Sequence, residues 1–428
     1  MAIKILAAAD LHLGKRTSGL AIFGDNCSTR ATWVRMVDFA IDRGVDMMLL
    51  AGDVVDQNNR YFEASGALQE GFRRLGEAGI DVFVVTGNHD FDVLPQILRN
   101  HPFPRVRQLG ADGRWEAVRY ERSGEALQLV GWSYPRREVL VNPLLGLAEG
   151  VVNGDYLSVG LLHADVDKLD SRYGPVALND LQRSPVNVWI LGHIHKPIVY
   201  SGDKFIRYPG SPQALSAKET GSHGALLLTV DGGRIAGAEN LVFSNCRFER
   251  LEIEVTDVDT EERFRGLMET AISADANPHL SELDGVVYLV YDVLLTGRNN
   301  LGREIAGWAE PLAASSELLL ACGARVRVRN VALAIRPPVG DLEGLARERS
   351  PAGVLAEAIL AIRSGSSTAF LDQVAARWLE QFQSLTNSTA FQPLQEDFRR
   401  YGNPRNFRTY IEEECNRLLA ELLYPVNS

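Results

Sequence analysis

The chain has 428 residues, of which 46% are hydrophobic and 23% charged, and its formal net charge is −11. At roughly 100–200 residues per domain, this length predicts two or three domains with sizeable cores. The four cysteines form no C-x-x-C pair, which argues against a disulfide framework or a zinc knuckle. No stretch approaches the roughly 20 apolar residues of a membrane span, and the first residues lack the features of a signal peptide. We therefore expect a cytoplasmic protein that does not enter a membrane.

Along the first 245 residues, short apolar runs alternate with segments of helical spacing. This order of strand, helix and strand predicts an α/β layered fold with parallel pairing. In open α/β sheets, functional sites form at the carboxyl ends of the strands, where several loops converge. Strands are predicted at 3–9, 47–51, 82–86, 126–132, 156–162, 186–191 and 225–230, and helices at 32–43 and 63–78.

A locally basic segment lies between residues 105 and 137. Phosphate binding requires a local positive field and not a basic average, so this segment could contact a nucleic acid despite the acidic net charge. A solvated, arginine-rich surface is an equal alternative. The arginines are Arg105, Arg107, Arg114, Arg119, Arg122, Arg136 and Arg137.

Residues 246–340 are predicted to form a smaller α+β unit, which ends in a linker. The predicted strands are 248–255, 286–295 and 324–331, the helix is 261–274, and the linker is the Arg-Pro-Pro run at 336–338.

Residues 341–428 are predicted to be helical, because apolar residues recur at helical spacing in two stripes. Such stripes either pack within their own protein or dock a partner helix, and both interpretations stay open. The stripes are Leu371, Val374, Ala375, Trp378, Phe382 and Leu385, and Phe407, Tyr410, Ile411, Cys415, Leu418, Leu419 and Leu422.

Five short strings of carboxylate, amide and imidazole side chains follow the predicted strands, so the fold delivers them to one rim of the sheet. Gathering unpaired carboxylates and imidazoles there is unfavourable unless metal ions compensate for the lost hydration. Each string alone is weak, but the set together predicts a metal site. The strings are Asp10-Leu11-His12, Gly52-Asp53-Val54-Val55-Asp56, Gly87-Asn88-His89-Asp90, His163 after Leu161-Leu162, and Gly192-His193-Ile194-His195.

The types of ligand indicate which metals would bind. A mixture of carboxylate, amide oxygen and imidazole without thiolate suits manganese, iron or zinc. Seven ligands are too many for one ion, but they suffice for two ions if one carboxylate bridges them. In two-metal phosphoryl-transfer sites the ions lie roughly 3.5–4 Å apart, a gap that one carboxylate can span. Asp53 is the natural candidate for the bridge.

In this order, the five strings resemble those of the calcineurin-like metallophosphoesterases, and most closely the SbcD and YhaO type of bacterial DNA-repair nuclease. Tyr208-Pro209-Gly210-Ser211-Pro212 and Lys218-Glu219-Thr220-Gly221 also resemble that branch. The resemblance is specific over about residues 1–235. It implies a layered metallophosphoesterase β-sandwich flanked by helices over residues 1–245, an α+β capping domain over 246–340, and a helical C-terminal region over 341–428 that could dock a partner.

The resemblance also implies a role for each residue in the strings. Two divalent ions, expected to be manganese, share Asp53 as the bridging ligand. His89 does not ligate but protonates the leaving group as a general acid, and Asp90 orients it. The predicted ligands are Asp10, His12, Asp53 and His195 for one metal, and Asp53, Asn88, His163 and His193 for the other.

Asp56 stands where archaeal and eukaryotic members of the family carry a histidine. It either orients a ligand histidine or is an ordinary loop carboxylate, and the sequence does not decide between these. The remaining histidines, His101, His223 and His279, are interpreted as structural or surface residues. Asp165 and Asp167, although near His163, receive no assignment.

Two enzymatic functions share this metal core. The first is a manganese-dependent DNA exonuclease or endonuclease that acts in double-strand-break repair or end processing. The resemblance adds DNA, a homodimer and an SbcC-like coiled-coil ATPase as partners. The alternative is a hydrolase of cyclic nucleotides or small phosphodiesters, for which the roughly 180 residues after the core would be unnecessary. A non-catalytic scaffold is disfavoured because no predicted ligand is missing.

Overall fold

The computed structural model describes residues 2–15, 27–56, 63–315, 318–336, 342–386 and 404–423. Strands and helices alternate through the first part of these, as the apolar periodicity predicts. The strands are β1 (Ile3–Ala8), β2 (Met47–Ala51), β3 (Asp81–Val85), β4 (Val106–Gln108), β5 (Glu116–Arg122), β6 (Glu125–Trp132), β7 (Leu157–His163), β8 (Asp165–Val166), β9 (Pro175–Val176), β10 (Val188–Gly192), β11 (Ile198–Tyr200), β12 (Phe205–Tyr208), β13 (Gly224–Asp231) and β14 (Arg234–Val242), and the helices are α1 (Thr29–Asp42), α2 (Glu63–Glu77), α3 (Val93–Asn100) and α4 (Leu178–Arg183).

Two six-stranded sheets form this part of the molecule. The first has the order β14-β13-β1-β2-β3-β4, and the second has the order β11-β12-β10-β7-β6-β5. Strands β1 to β4 pair in parallel, and so do β6, β7, β10 and β12. Parallel strands need coverage on both faces, which explains why β2 and β10 are buried along their whole length.

The first sheet separates two cores because successive side chains of a strand point to opposite faces. On one face Leu6 and Leu50 pack with Trp33 of α1 and Phe72 of α2. On the other face Ile5 and Leu49 pack with side chains of the second sheet, including Leu129, Leu161 and Ile190. The predicted layered fold, a β-sandwich flanked by helices, is confirmed.

An α+β segment follows, as predicted. Its elements are β15 (Cys246–Glu254), α5 (Glu261–Ala276), β16 (Tyr288–Arg298), α6 (Gly302–Ser315), β17 (Leu318–Leu319) and β18 (Arg325–Arg336). The four strands form one sheet of order β15-β16-β18-β17. The Arg-Pro-Pro run starts at the last residue of β18, and its two prolines lie outside the described residues.

The C-terminal region is helical where it is described, as predicted. The helices are α7 (Leu342–Leu345), α8 (Pro351–Ser364), α9 (Ala369–Thr386) and α10 (Pro404–Leu423).

Both apolar stripes of the C-terminal helices contribute buried residues to one small core. Leu371 of α9 and Leu419 of α10 pack with Ile359 of α8, and the ring of Trp378 lies 5.0 Å from that of Phe407. The side chains of Phe382 and Leu385 lie outside the described part. Other stripe residues stay exposed, among them Tyr410 and Leu422.

The chain divides into two compact units, each discontinuous in sequence. One comprises Met1–Leu251, Ile272–Asp292 and Ala313–Asn330, and the other Glu252–Ala271, Val293–Leu312 and Val331–Ser428. The domain boundaries predicted after residues 245 and 340 stay predictions.

No single helix among the described residues has the length and apolar character needed to span a membrane. Helix α8 and residues Ala369–Gln381 of α9 meet the criterion only as a pair, bent by 79°.

Candidate metal centre

Hydrogen bonds of backbone N–H groups bring the loops after β1, β2 and β10 together. The N–H of Asp10 donates to the carbonyl of Gly52 at 3.0 Å, and the N–H of His12 donates to the carbonyl of Asp53 at 2.9 Å. The carboxylate of Asp10 then accepts the backbone N–H of His193 at 3.0 Å. These hydrogen bonds therefore hold loops of both sheets together at one place, and the same loops contain the predicted ligands.

Two glycines permit this close approach. A Cβ at Gly52 would lie 2.5 Å from Nδ1 of His163, and a Cβ at Gly192 would lie 1.9 Å from the carbonyl oxygen of Ala51. Real Cβ contacts are essentially never this short, so any larger residue would force the carboxyl ends of β2, β7 and β10 apart.

Four predicted ligands have left-handed backbone conformations. Their φ angles are 54° at Asp10, 44° at His12, 51° at Asp53 and 103° at His193. Residues other than glycine avoid this region, and when they are held in it they cluster at functional sites. The fold thus maintains local strain at the residues that the sequence singles out.

The predicted ligands converge around Asp53. Its Oδ2 lies 3.3 Å from Nε2 of His163 and 3.7 Å from Nε2 of His12. Nε2 of His163 also lies 3.1 Å from Oδ1 of Asn88. The structure brings the other predicted ligands close as well: the ring of His195 lies 5.1 Å from that of His12, the ring of His193 lies 5.3 Å from that of His163, and Oδ1 of Asp10 lies 3.9 Å from Nδ1 of His163.

These residues fit divalent cations. Asp10, His12 and His195 can offer ligand atoms within 4.8 Å of one another, and so can Asp10, Asp53 and His163. Nε2 of His12 is buried and has no hydrogen-bond partner among the described residues. A buried polar atom without a partner is unfavourable, and a cation between His12 and Asp53 would supply the missing interaction.

The charges in the cluster are strongly coupled. Burial by itself would raise the pKa of Asp53, but His163, His12 and His89 more than offset this and hold it far below its usual range. Burial would lower the pKa of His163, but the carboxylates of Asp53 and Asp10 raise it to about 9. The carboxylates therefore attract positive charge to this point, and a metal cation would compete with the proton on His163.

His89 lies at the rim of the cluster and is partly exposed. Its ring lies 4.7 Å from that of His12, and its Nδ1 lies 3.7 Å from Oδ2 of Asp56. Burial lowers the pKa of His89, with the nearby carboxylates of Asp53 and Asp56 acting in the opposite direction.

Asp90 is fully buried, and its hydrogen bonds organise the loops. Its Oδ1 accepts the N–H of Gly87 at 2.8 Å and its Oδ2 accepts the N–H of Val54 at 2.7 Å. The carboxylate thus ties the loop after β3 to the loop after β2. That Asp90 orients His89 stays a prediction.

Residues 3–197 match the family model described as Calcineurin-like phosphoesterase. This segment is a calcineurin-like phosphoesterase domain. The matched residues contain every predicted metal ligand, from Asp10 to His195, together with His89 and Asp90.

The proteins to which this chain is similar include a DNA repair protein and a component of a nuclease. The chain is 32% identical over 244 residues to the uncharacterized metallophosphoesterase YhaO of Bacillus subtilis, covering 55% of this chain and 59% of that protein. It is 24% identical over 313 residues to the DNA double-strand break repair protein Mre11 of Sulfolobus acidocaldarius, covering 69% and 78%. It is 25% identical over 281 residues to the SbcD component of the SbcCD nuclease of Escherichia coli, covering 56% and 68%. The chain therefore spans less than two thirds of YhaO.

Three carboxylates of the phosphoesterase domain and the segment after it contact predicted ligand histidines. Oδ2 of Asp56 lies 3.2 Å from Nδ1 of His12, which supports the interpretation that Asp56 orients a histidine. In the other two contacts, Asp165 Oδ2 lies 3.4 Å from His193 Nε2, and Glu219 Oε1 lies 3.2 Å from His195 Nδ1. The sequence does not predict these two contacts, because nothing in the local pattern around either carboxylate indicates its partner.

The residues left outside the predicted site have other partners or positions. Nδ1 of the buried His223 faces the carbonyl oxygen of Ser211 at 2.9 Å. His101 is exposed, and His279 is half-buried. Asp167 accepts the backbone N–H of Leu178. Four arginines of the basic segment form ion pairs with carboxylates: Arg105 with Asp81, Arg107 with Glu116, Arg119 with Glu121, and Arg122 with Asp46. For these four arginines, the pairing favours the interpretation as a solvated surface.

Proposed function

We propose that this protein is a two-metal nuclease that hydrolyses phosphodiester bonds of DNA, as an exonuclease or endonuclease in the processing of double-strand breaks. The observation that carries the proposal is the convergence of the other six predicted ligands around Asp53 in a calcineurin-like phosphoesterase domain. The names of two relatives, a double-strand break repair protein and a component of a nuclease, support DNA as the substrate.

In this proposal two divalent cations would share Asp53 as a ligand. Asp10, His12 and His195 would hold one cation with it, and Asn88, His163 and His193 would hold the other. When bound, the cations would activate a water molecule and neutralise the non-bridging oxygens of the phosphate. Manganese suits this mixture of oxygen and imidazole ligands.

His89 supplies the proton in this proposal. It lies at the partly exposed rim of the cluster, where a leaving 3′-oxygen could approach it. A bound phosphodiester carries negative charge, which would raise the pKa of His89 again and favour the protonated form. The carboxylate of Asp56, 3.7 Å from Nδ1 of His89, acts on that pKa in the same direction.

The substrate class can be tested by digestion of an end-labelled DNA duplex with the full-length protein, with and without manganese, beside a cyclic dinucleotide. We expect shortening of the duplex that requires manganese and disappears with a chelator. Hydrolysis of the cyclic dinucleotide without any cleavage of the duplex would favour the alternative function, a small-phosphodiester hydrolase.

We further propose that the exposed side of α10 docks an SbcC-like coiled-coil ATPase. Tyr410 and Leu422 are each 50% exposed, whereas Leu419 of the same stripe is buried. A homodimer and a cytoplasmic location stay predictions of the same kind.

Replacement of Tyr410 and Leu422 by glutamate is expected to weaken association with the ATPase and to leave manganese-dependent cleavage unchanged. The matched control is Val354→Glu, since Val354 is an exposed apolar residue of α8 outside both stripes. Association can be measured by co-purification with the ATPase. Unchanged association in the double variant would contradict this docking site.

A further inference from the structure

Each of the four predicted ligand histidines has one ring nitrogen directed at an oxygen atom that is not itself a predicted ligand. Three of these oxygens belong to carboxylates and one to a backbone carbonyl. The pairs are His12 Nδ1 with Asp56 Oδ2 at 3.2 Å, His163 Nδ1 with the Ala51 oxygen at 3.1 Å, His193 Nε2 with Asp165 Oδ2 at 3.4 Å, and His195 Nδ1 with Glu219 Oε1 at 3.2 Å.

This arrangement has a direct consequence for the protonation of each ring. A neutral imidazole carries one N–H and one lone pair, and only the lone pair can bind a cation. An oxygen acceptor on one nitrogen fixes the proton there, so the other nitrogen presents its lone pair in a defined direction. The pattern thus selects a tautomer for each histidine.

Glu219 is the member of this pattern that comes from outside the matched domain. Its Oε2 accepts the backbone N–H of Leu215 at 2.8 Å, which leaves Oε1 for Nδ1 of His195. The carboxylate is therefore held from both sides, by its own loop and by the histidine.

The loop that carries Glu219 is anchored to His195 a second time. The N–H of Ser211 donates to the carbonyl of His195 at 2.9 Å. Gly210 has a φ of +78°, and a Cβ there would lie 2.6 Å from that same carbonyl oxygen. The Tyr-Pro-Gly-Ser-Pro motif at 208–212 thus has a structural purpose, because it brings this loop against His195.

We propose that Glu219 is a positioning residue that holds His195 in the Nδ1-protonated form. Nε2 of His195 would thereby be left to bind a cation. Asp10, His12 and His195 can offer ligand atoms within 4.8 Å of one another, so one cation could be held by all three. This inference rests on the proposed two-metal function. It assigns a role to a residue that the five strings do not contain.

The first test compares Glu219→Gln with Glu116→Gln by calorimetric titration of the metal-free proteins with Mn²⁺. Glu116 is a matched control, since its Oε2 also accepts a backbone N–H, from Gly110, and its Oε1 pairs with Arg107, which is not among the predicted ligands. Loss of a residue that orients a ligand typically weakens metal binding by about 10–100-fold. We expect this loss in Glu219→Gln alone, with the thermal midpoint of both metal-free variants close to that of the wild type.

A second measurement needs no variant. In the wild-type protein loaded with Zn²⁺, nitrogen–proton correlation spectra of the histidine rings are expected to show a proton on Nδ1 of His195 and none on Nε2. A proton on Nε2 would overturn the proposal.

The outcomes separate this inference from the proposed function. Wild-type protein that binds no Mn²⁺ would overturn both. Wild-type protein that binds Mn²⁺ normally, with Glu219→Gln binding it equally tightly, would overturn only the role of Glu219. A large fall in the thermal midpoint of metal-free Glu219→Gln, without a change in Mn²⁺ affinity, would likewise overturn that role and assign Glu219 to the stability of its loop.

Discussion

Asp53→Asn is expected to abolish phosphodiester cleavage and to lower the metal content to fewer than two ions per chain. Asp53 and Asp10 are the two carboxylates among the seven predicted ligands, so the exchange removes half of the anionic charge of the set. An amide has the same shape, but it cannot bridge two cations through two charged oxygens. Loss of a general acid typically lowers the rate by about 10²–10⁴-fold, and activity should fall by more than the upper end of this range because both cations are affected. Single-turnover cleavage and elemental analysis measure the two effects.

Asp46→Asn is the matched control for this variant. Asp46 precedes β2 at the end opposite Asp53, and its carboxylate accepts the N–H of Lys4 at 2.8 Å and pairs with Arg122. It should keep both metal content and activity. Full metal content and near wild-type activity in Asp53→Asn would show that Asp53 does not bridge the ions.

His89→Ala is expected to lower the cleavage rate by about 10²–10⁴-fold and to leave two ions per chain. His89 lies beside the cluster but is not one of the predicted ligands, so its loss removes a proton donor and not a metal ligand. Its side chain is 28% exposed, and removal of a partly exposed ring should not unfold the domain. Metal content, the thermal midpoint and the single-turnover rate together distinguish these effects.

His101→Ala provides the comparison, since His101 is an exposed histidine at the end of α3, close to His89 in sequence. We expect it to cleave DNA at the wild-type rate. Retention of full activity by His89→Ala with manganese would remove His89 from the mechanism, and loss of metal from it would make His89 a ligand.

The strands that lie inside the layers are predictable from sequence, and those at the edges are harder to predict. The apolar run predicts β2 at its observed bounds, because every residue in this strand is buried. No pattern predicts β14, because it is an edge strand in which exposed and half-buried residues are mixed. Its position depends on pairing with β13, which no local pattern encodes. Helices α6 and α8 are not predicted individually either, although their residues fall in segments predicted to be α+β and helical.

In the candidate site, the residues at the ends of buried strands are predictable from sequence, and the contacts that depend on loops are not. Asp10, Asp53 and His163 lie at the carboxyl ends of buried parallel strands, and such ends meet at one rim. The contact between Glu219 and His195 depends instead on the path of a loop, set by Gly210 and by a backbone hydrogen bond. The partners of Asp90 are similarly hidden, because one of them is a backbone N–H on a different loop.

The measurement that bears most directly on the central claim is anomalous diffraction from crystals of this protein grown with manganese. We expect two peaks, roughly 3.5–4 Å apart, with the carboxylate of Asp53 between them. His12 and His195 should lie beside one peak, and His163 and His193 beside the other. A single peak, or none within reach of Asp53, would contradict the account.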